Sequence, residues 1–259
     1  MTVEIVRART IDAPPIEPRR STLLDVASVS EGLAWLTGTD LFESLNCLQA
    51  RFWDPACGAS QSAKTFDGPT WVDGAKFAAY TGVKCDPIGM GELDNLTNGL
   101  FTNIESRGVE QAVMERIFGA SAITPLTDAA TVALGVAMLE GEAAQKYAGQ
   151  PTLHLTAAAA SLLSQRGALE WDGNILRTAL GSKVVVGAGY SVSNQGPAAA
   201  AGTATTDWLW ASGEIVIARG EVKSFQELNR TNNDNRILVE RDYVVGVDCF
   251  LAAVEVTLA

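Results

Sequence analysis

His154 is the only histidine in the 259-residue chain, so any mechanism that needs an imidazole rests on it. It stands between Leu153 and Leu155 at the entry to a helical pattern, with no GxSxG elbow or nucleophile motif beside it. A structural, hydrogen-bonding histidine is the expectation. In VVVGAGYSVSNQG, Gly187 and Gly189 follow an apolar run, the opening of a dinucleotide fingerprint. The third glycine position holds Val192, and Ser, Asn and Gly-Pro follow where an amphipathic helix would have to hold a pyrophosphate. A tight corner is expected there, and no cofactor. Cys47, Cys57, Cys85 and Cys249 form no CxxC pair, which argues against a zinc site. Buried free thiols are expected of a cytoplasmic protein. Asp234, Glu240, Asp242 and Asp248 are dense enough to consider for a metal. They lack the loop pattern of a calcium hand, and a strand pattern explains them as solvent-facing. No catalytic, cofactor-binding or metal-binding residue is assigned.

Composition narrows the classes further. Apolar residues make up 47%, enough for a sizeable core. No run approaches the roughly 18 apolar residues of a membrane helix, and the first twenty residues lack the uninterrupted apolar stretch of a secretory signal. Synthesis in the cytoplasm is therefore expected. The net charge of −11 opposes general electrostatic binding to nucleic acid, which needs a Lys/Arg excess. It favours solubility, and it would suit a lining that repels enclosed DNA.

The elements that would position these residues read as follows. Residues 1 to 30 resemble an arm: Pro14, Pro15 and Pro18 interrupt regular structure, and arginines alternate with acids. An arm ordered by a neighbour and a frayed terminus fit equally well. Leu41, Leu45, Leu48 and Phe52 share one helical face behind Asp40, predicting a helix over about 40–52. Gly- and Pro-divided β-prone pieces from Asp54 to Pro87 predict a long two-stranded excursion, which needs a partner because isolated hairpins are marginal in water. From Glu92 to Phe118, Leu93, Leu96, Leu100 and Ile104 lead into Val109, Val113 and Ile117. That predicts a helix about 40 Å long, stopped at Gly119.

Further helices are predicted over Thr127–Tyr147, with Asp128 in the first turn, and over Thr156–Gln165, with Thr156 as N-cap and Gly167 as stop. LWASGEIVIARGEV predicts a hairpin turned at Ser212–Gly213, with a second turn near Gly220. GPAAAAGTATT from Gly196 predicts a flexible loop. Helices and strands mix without a βαβ rhythm, so the fold class is α+β. Trp208 and Trp210 share one strand face and suit a core better than an interface. Trp71 suits either.

The last hundred or so residues run from LHLTAAAASLLSQRGALEW through GSKVVVGAGY and TTDWLWASGEIVIARGEV to NRILVERDYVVGVDCFLAAVEVTLA. In pattern and order they resemble the tailed-bacteriophage major capsid protein, whose shell fold is shared with the encapsulins. The Val239-Glu240-Arg241-Asp242-Tyr243 segment, followed by a final strand, carries the likeness most clearly. The resemblance implies an N-terminal arm (1–30), an extended β-hairpin loop (54–90) and a long spine helix. It implies a peripheral domain (31–53, 91–123 and 225–259) that the last strand re-enters, and an axial, central domain (124–224).

It further implies a structural protein and not an enzyme: pentamers and hexamers of an icosahedral shell enclosing double-stranded DNA. The shell would be assembled in the host cytoplasm and found in the virion. With the spine starting near residue 91, a separate scaffolding protein or none is implied. A portal and a decoration protein are possible partners, with no sequence-specific DNA contact and no membrane. Two alternatives stay open, an encapsulin-type nanocompartment shell and a small-molecule enzyme with an unrecognised site. Some relatives join a loop lysine to an asparagine of a neighbour. Lys64, Lys76, Lys84, Asn229, Asn232, Asn233 and Asn235 are ordinary surface and turn residues as they stand, so non-covalent shells are expected.

Overall fold

The computed structural model describes residues 16–32, 41–44, 46–48, 68, 70–85, 93–229 and 234–258. In chain order the elements are α1 (Leu23–Val26), β1 (Ser28–Glu31), β2 (Leu41–Ser44), β3 (Thr70–Asp73) and β4 (Ala75–Cys85). The long helix α2 (Leu93–Val113) runs on into a π-helical stretch, Met114–Phe118. Then come α3 (Val132–Lys146), β5 (Thr152–Leu155), α4 (Ala157–Gln165), β6 (Leu169–Asp172), β7 (Ile175–Thr178), β8 (Lys183–Val186) and α5 (Ala188–Val192). The chain ends with β9 (Thr206–Ser212), β10 (Ile215–Arg219), β11 (Lys223–Asn229), β12 (Asp234–Val247) and β13 (Leu251–Thr257).

The 14-residue β12 organises one sheet. Its Val/Ile/Tyr-rich sequence suits a pleated, covered surface. β4 pairs antiparallel with it on one side, and β10 and β11 lie end to end on the other. β1 adds in parallel outside β10. The second sheet has the order β13-β9-β5-β8-β7-β6, and β2 pairs with β3 in a small third one.

The second sheet is covered on both faces, and strand alternation decides which residue meets which cover. Leu153, Leu155, Leu209, Ala211, Val254 and Val256 pack with α3 and α4. Trp208, Trp210, Val185 and Ala253 point the other way, into a cluster with Val109, Val113, Met114 and Phe118 of α2. Ile217, Tyr243 and Val245 of the first sheet join that same cluster, so α2 is packed against both sheets.

Several expectations hold. Thr156 Oγ1 accepts from the Ala159 N–H at 3.2 Å as the N-cap of α4, and Gly167, at φ +66°, ends that helix in the left-handed region. Trp208 and Trp210 are buried on one face. Others are corrected. The Leu41–Ser44 stretch is a strand, because its backbone is taken by Thr70–Asp73; Asp40, Leu45 and residues 49–52 lie outside the described residues. Of the 54–90 excursion, the described part is β3 and β4, which pair with β2 and β12 instead of with each other. α3 starts after Thr131, since Ala129 is held extended beside β13 by the Ala129 N–H to Glu255 O bond and the Thr257 N–H to Ala129 O bond.

Ser212–Gly213 is no hairpin turn. It is a crossing from the second sheet to the first, and residues 248–250 cross back beside it. The two crossings are tied by Gly213 N–H to Phe250 O (2.8 Å) and Asp248 N–H to Glu214 O (2.9 Å). The last strand, expected in the peripheral part, therefore lies beside β9, and β10 joins β12. The turn near Gly220 only separates the collinear β10 and β11. The Gly196 segment is ordered as a 3-10 turn, Pro197–Ala199, with Gly196 against the Trp208 ring.

Residues 21–31 are no arm. Ser21, Leu23 and Val26 are buried, and Ser21 Oγ donates to Val184 O (2.5 Å) and accepts from Leu176 N–H (2.9 Å). Burying Leu23 and Val26 alone stabilises by about 1.5–3 kcal/mol each. Truncation through residue 30 should therefore cost at least about 3 kcal/mol in urea denaturation, while truncation through residue 18 leaves these contacts intact. An unchanged midpoint for the longer truncation would contradict this assignment.

Candidate functional site

His154 sits at the middle of the second sheet and is buried because that sheet is covered on both faces. Ser212 Oγ is 2.8 Å from the Gly213 carbonyl, to which it donates, so it accepts from His154 Nε2 at 2.9 Å. Nδ1 then accepts from Tyr190 OH at 3.0 Å. This fixes the neutral Nε2–H tautomer. The Phe118 ring stands edge-on at 4.7 Å between centroids. Burial holds the imidazole pKa down to about 3. With both nitrogens engaged and no carboxylate among its partners, the ring is placed as a structural residue.

The Gly187-Ala-Gly189 run opens α5, a short helix that the sequence did not disclose. A Cβ on Gly189 would lie 2.3 Å from Gln111 N and 2.4 Å from Arg107 O, so glycine is required for α5 to touch the backbone of α2. The anionic group at this glycine turn is the protein's own Glu110. Its carboxylate accepts from Gly189 N–H (2.9 Å), Leu23 N–H (3.2 Å) and Ser106 Oγ (3.2 Å). Burial pushes the Glu110 pKa up by more than these donors pull it down.

One turn and a half earlier, the largely buried Glu105 accepts from Arg241 (2.8 Å), Arg219 (3.3 Å) and Tyr243 OH (2.5 Å). The buried stripe of the first half of α2 is accordingly Thr97-Phe101-Glu105, one residue on from the expected Leu100 and Ile104.

The acidic residues near the C-terminus are not simply solvent-facing. Asp242 is buried and paired with Lys223 at 2.7 Å. Asp248 lies at the sheet crossing and accepts from Ser44 Oγ, Asn46 Nδ2 (2.6 Å), Tyr147 OH (3.0 Å) and the Cys249 N–H (2.8 Å). Burial pushes its pKa up, and these donors together outweigh that and leave it below the usual carboxylate range. Cys47 and Cys249 are joined in a disulfide with Cα atoms 6.0 Å apart, which corrects the expectation of free thiols. No group of three or more metal-ligating side chains occurs among the described residues. No described helix is long and apolar enough to cross a membrane.

Large apolar side chains remain uncovered on the surface. Tyr80 is 70% exposed on β4 and lines, with Ile104, the groove between β4 and α2; Leu100 on α2 is also exposed, and Phe225 is half exposed on β11. Trp71 on β3 is 57% exposed. Trp171 carries the Arg20 guanidinium over its ring at 4.5 Å.

No family model and no curated protein sequence matches the chain. Solved structures do. The capsid of a native GTA particle aligns over 98% of this chain and 96% of its own, at TM-score 0.59 and 9% identity. The SrpI encapsulin of Synechococcus elongatus aligns over 97% and 94%, at 0.58 and 11%, and the capsid of Ralstonia phage GP4 over 97% and 95%, at 0.57 and 9%. The chain has the phage capsid fold, shared with an encapsulin. Its spine helix is α2, the element on which both buried glutamates lie.

Two measurements test the buried groups. The unfolded imidazole takes up its proton below about pH 6.5 and the folded one only near 3. His154 therefore stabilises above 6.5, and that contribution is lost as pH falls through this window. Glu110, with its raised pKa, works in the opposite direction. Between pH 7.5 and 5.0 the wild type should lose about 2 kcal/mol more stability than His154→Gln; equal losses would contradict the assigned burial. Glu110→Ala should cost about 2–4 kcal/mol at neutral pH, because the Leu23 and Gly189 N–H groups lose their acceptor. A cost under about 0.5 kcal/mol would show that water replaces the carboxylate.

Proposed function

We propose that this chain is a shell subunit, copies of which form pentamers and hexamers of an icosahedral capsid enclosing double-stranded DNA. The observation that carries this reading is the near-complete coverage in both directions of capsid structures. The exposed Tyr80, Leu100, Ile104, Trp71 and Phe225 support it, since apolar surface of this kind is covered by symmetric self-association. In this reading the sheet of β12 with α2 is the peripheral part, and the six-stranded sheet with α3 and α4 is the axial part. The arm shortens to the residues before Ser21. The net charge of −11 suits a wall that does not adhere to packed DNA.

The SrpI likeness favours a second reading, a nanocompartment shell with a protein cargo. Light scattering of the purified protein, alone and with a scaffolding protein, should show hexamers, pentamers or closed shells. A strict monomer under all these conditions would overturn both readings. Nuclease-protected DNA in particles recovered from the native host supports the capsid, and a co-purifying enzyme without DNA supports the nanocompartment. The shells should dissolve to 27 kDa chains in boiling detergent with reductant. A reductant-resistant ladder of higher bands would contradict non-covalent assembly, and Lys76→Arg would be the first substitution to examine.

A further inference from the structure

The crossing between the two sheets holds more than the topology needs. Residues 44–47 are bound to residues 248–249 by Ser44 Oγ and Asn46 Nδ2 on the Asp248 carboxylate, and by Cys249 N–H on Ser44 Oγ at 3.2 Å. Ala148 N–H reaches Asn46 O at 2.9 Å, and Tyr147 OH bridges Asp248 and the Glu214 N–H. These bonds place Cys47 against Cys249 across 202 residues of sequence. Both cysteines are half-buried, so a small thiol or disulfide can reach them. β2, which this segment continues, pairs with β3, so the anchor holds the start and the end of the chain that runs between Ser44 and Thr70.

We propose that the Cys47–Cys249 pair is a redox-set lock on this root: a dithiol in a reducing cytoplasm, closed when the protein meets an oxidising medium. Closure needs an oxidant of the low-molecular-weight disulfide class, such as oxidised glutathione. One cysteine thiolate attacks the small disulfide and expels a first small thiolate. The second cysteine then attacks the mixed disulfide and expels the other. Two cysteine thiols are oxidised, one small disulfide is reduced to two thiols, and the protons pass to the departing thiolates. In the reduced protein the hydrogen bonds to Asp248 keep the sulfurs adjacent, so the lock closes without rearranging the fold. The role in hardening a shell rests on the reading above, whereas the lock belongs to the single subunit. A strictly monomeric protein would therefore overturn the shell and leave the thiol measurements standing.

The experiment uses the full chain, incubated with oxidised glutathione or with dithiothreitol and then alkylated in denaturant. After oxidation, peptide mapping should pair Cys47 with Cys249 within one chain, and reduction should free both. Reduced wild type should melt on the order of 10 °C below the oxidised protein, because the bridge closes a very long loop. A Cys47→Ser, Cys249→Ser double variant should match reduced wild type and ignore dithiothreitol. Reduction of the wild type gives the same comparison should that variant not fold. Free Cys47 and Cys249 after oxidation, a different or interchain pairing, or a bridge that leaves the melting temperature unchanged would overturn the proposal.

Discussion

Two carboxylates on different sides of the spine helix, Glu105 and Glu110, are buried, and the fold is arranged around satisfying them. A buried carboxylate without partners costs several kcal/mol, so a helix that carries two cannot be covered until their donors are in place. The donors come from widely separated parts of the chain. Leu23 offers its N–H from α1, Gly189 from α5, Arg219 from β10, and Arg241 and Tyr243 from β12. Packing of α2 thus requires the N-terminal segment, the glycine corner and the last third of the chain together. This accounts for residues 21–31 being part of the body, although their composition is that of a tail.

The sheet crossings follow the same logic at the opposite end of the strands. β9 must turn Trp208 and Trp210 toward α2, while β10 must bring Arg219 to Glu105, so the chain changes sheet between them. β12 and β13 make the reverse change for the same reason. Two crossing segments side by side leave backbone groups that a sheet would otherwise pair. The Cys249 and Glu214 amides donate to Asp248 and Tyr147, and the Gly213 and Asp248 amides donate to Phe250 O and Glu214 O.

What could be read from the residues was what local periodicity records. The spine helix, α4 with its Thr156 cap, the strand character of β12 and β13 and the α+β class all follow from spacing and caps. A hydrogen-bonding His154 was legible from the absence of any partner motif, whereas its partners Tyr190 and Ser212 were not. Strand partnership was not legible, because Ser212–Gly213 between two apolar runs looks the same whether the chain folds back or crosses to another sheet. The buried stripe of α2 lies one residue on from the Leu100 and Ile104 periodicity, because Glu105 is a core group, which only its partners Arg219, Arg241 and Tyr243 reveal. Gly187 and Gly189 announced a tight corner, and the close approach of Gly189 to Glu110 and the backbone of α2 lies outside any local window. The disulfide was missed for a similar reason: its cysteines are far apart in sequence, and Asp248 and Ser44, which bring them together, carry no spacing signal.

A subunit so tied together within itself still leaves Tyr80, Leu100, Ile104 and Trp71 uncovered, and the proposed self-association would cover them. Electron cryomicroscopy of particles formed by the purified chain tests this most directly. The account predicts closed icosahedral particles whose subunit density follows both sheets and the spine helix, with those apolar side chains covered by neighbouring copies. Open filaments, or particles in which these side chains face solvent, would contradict it.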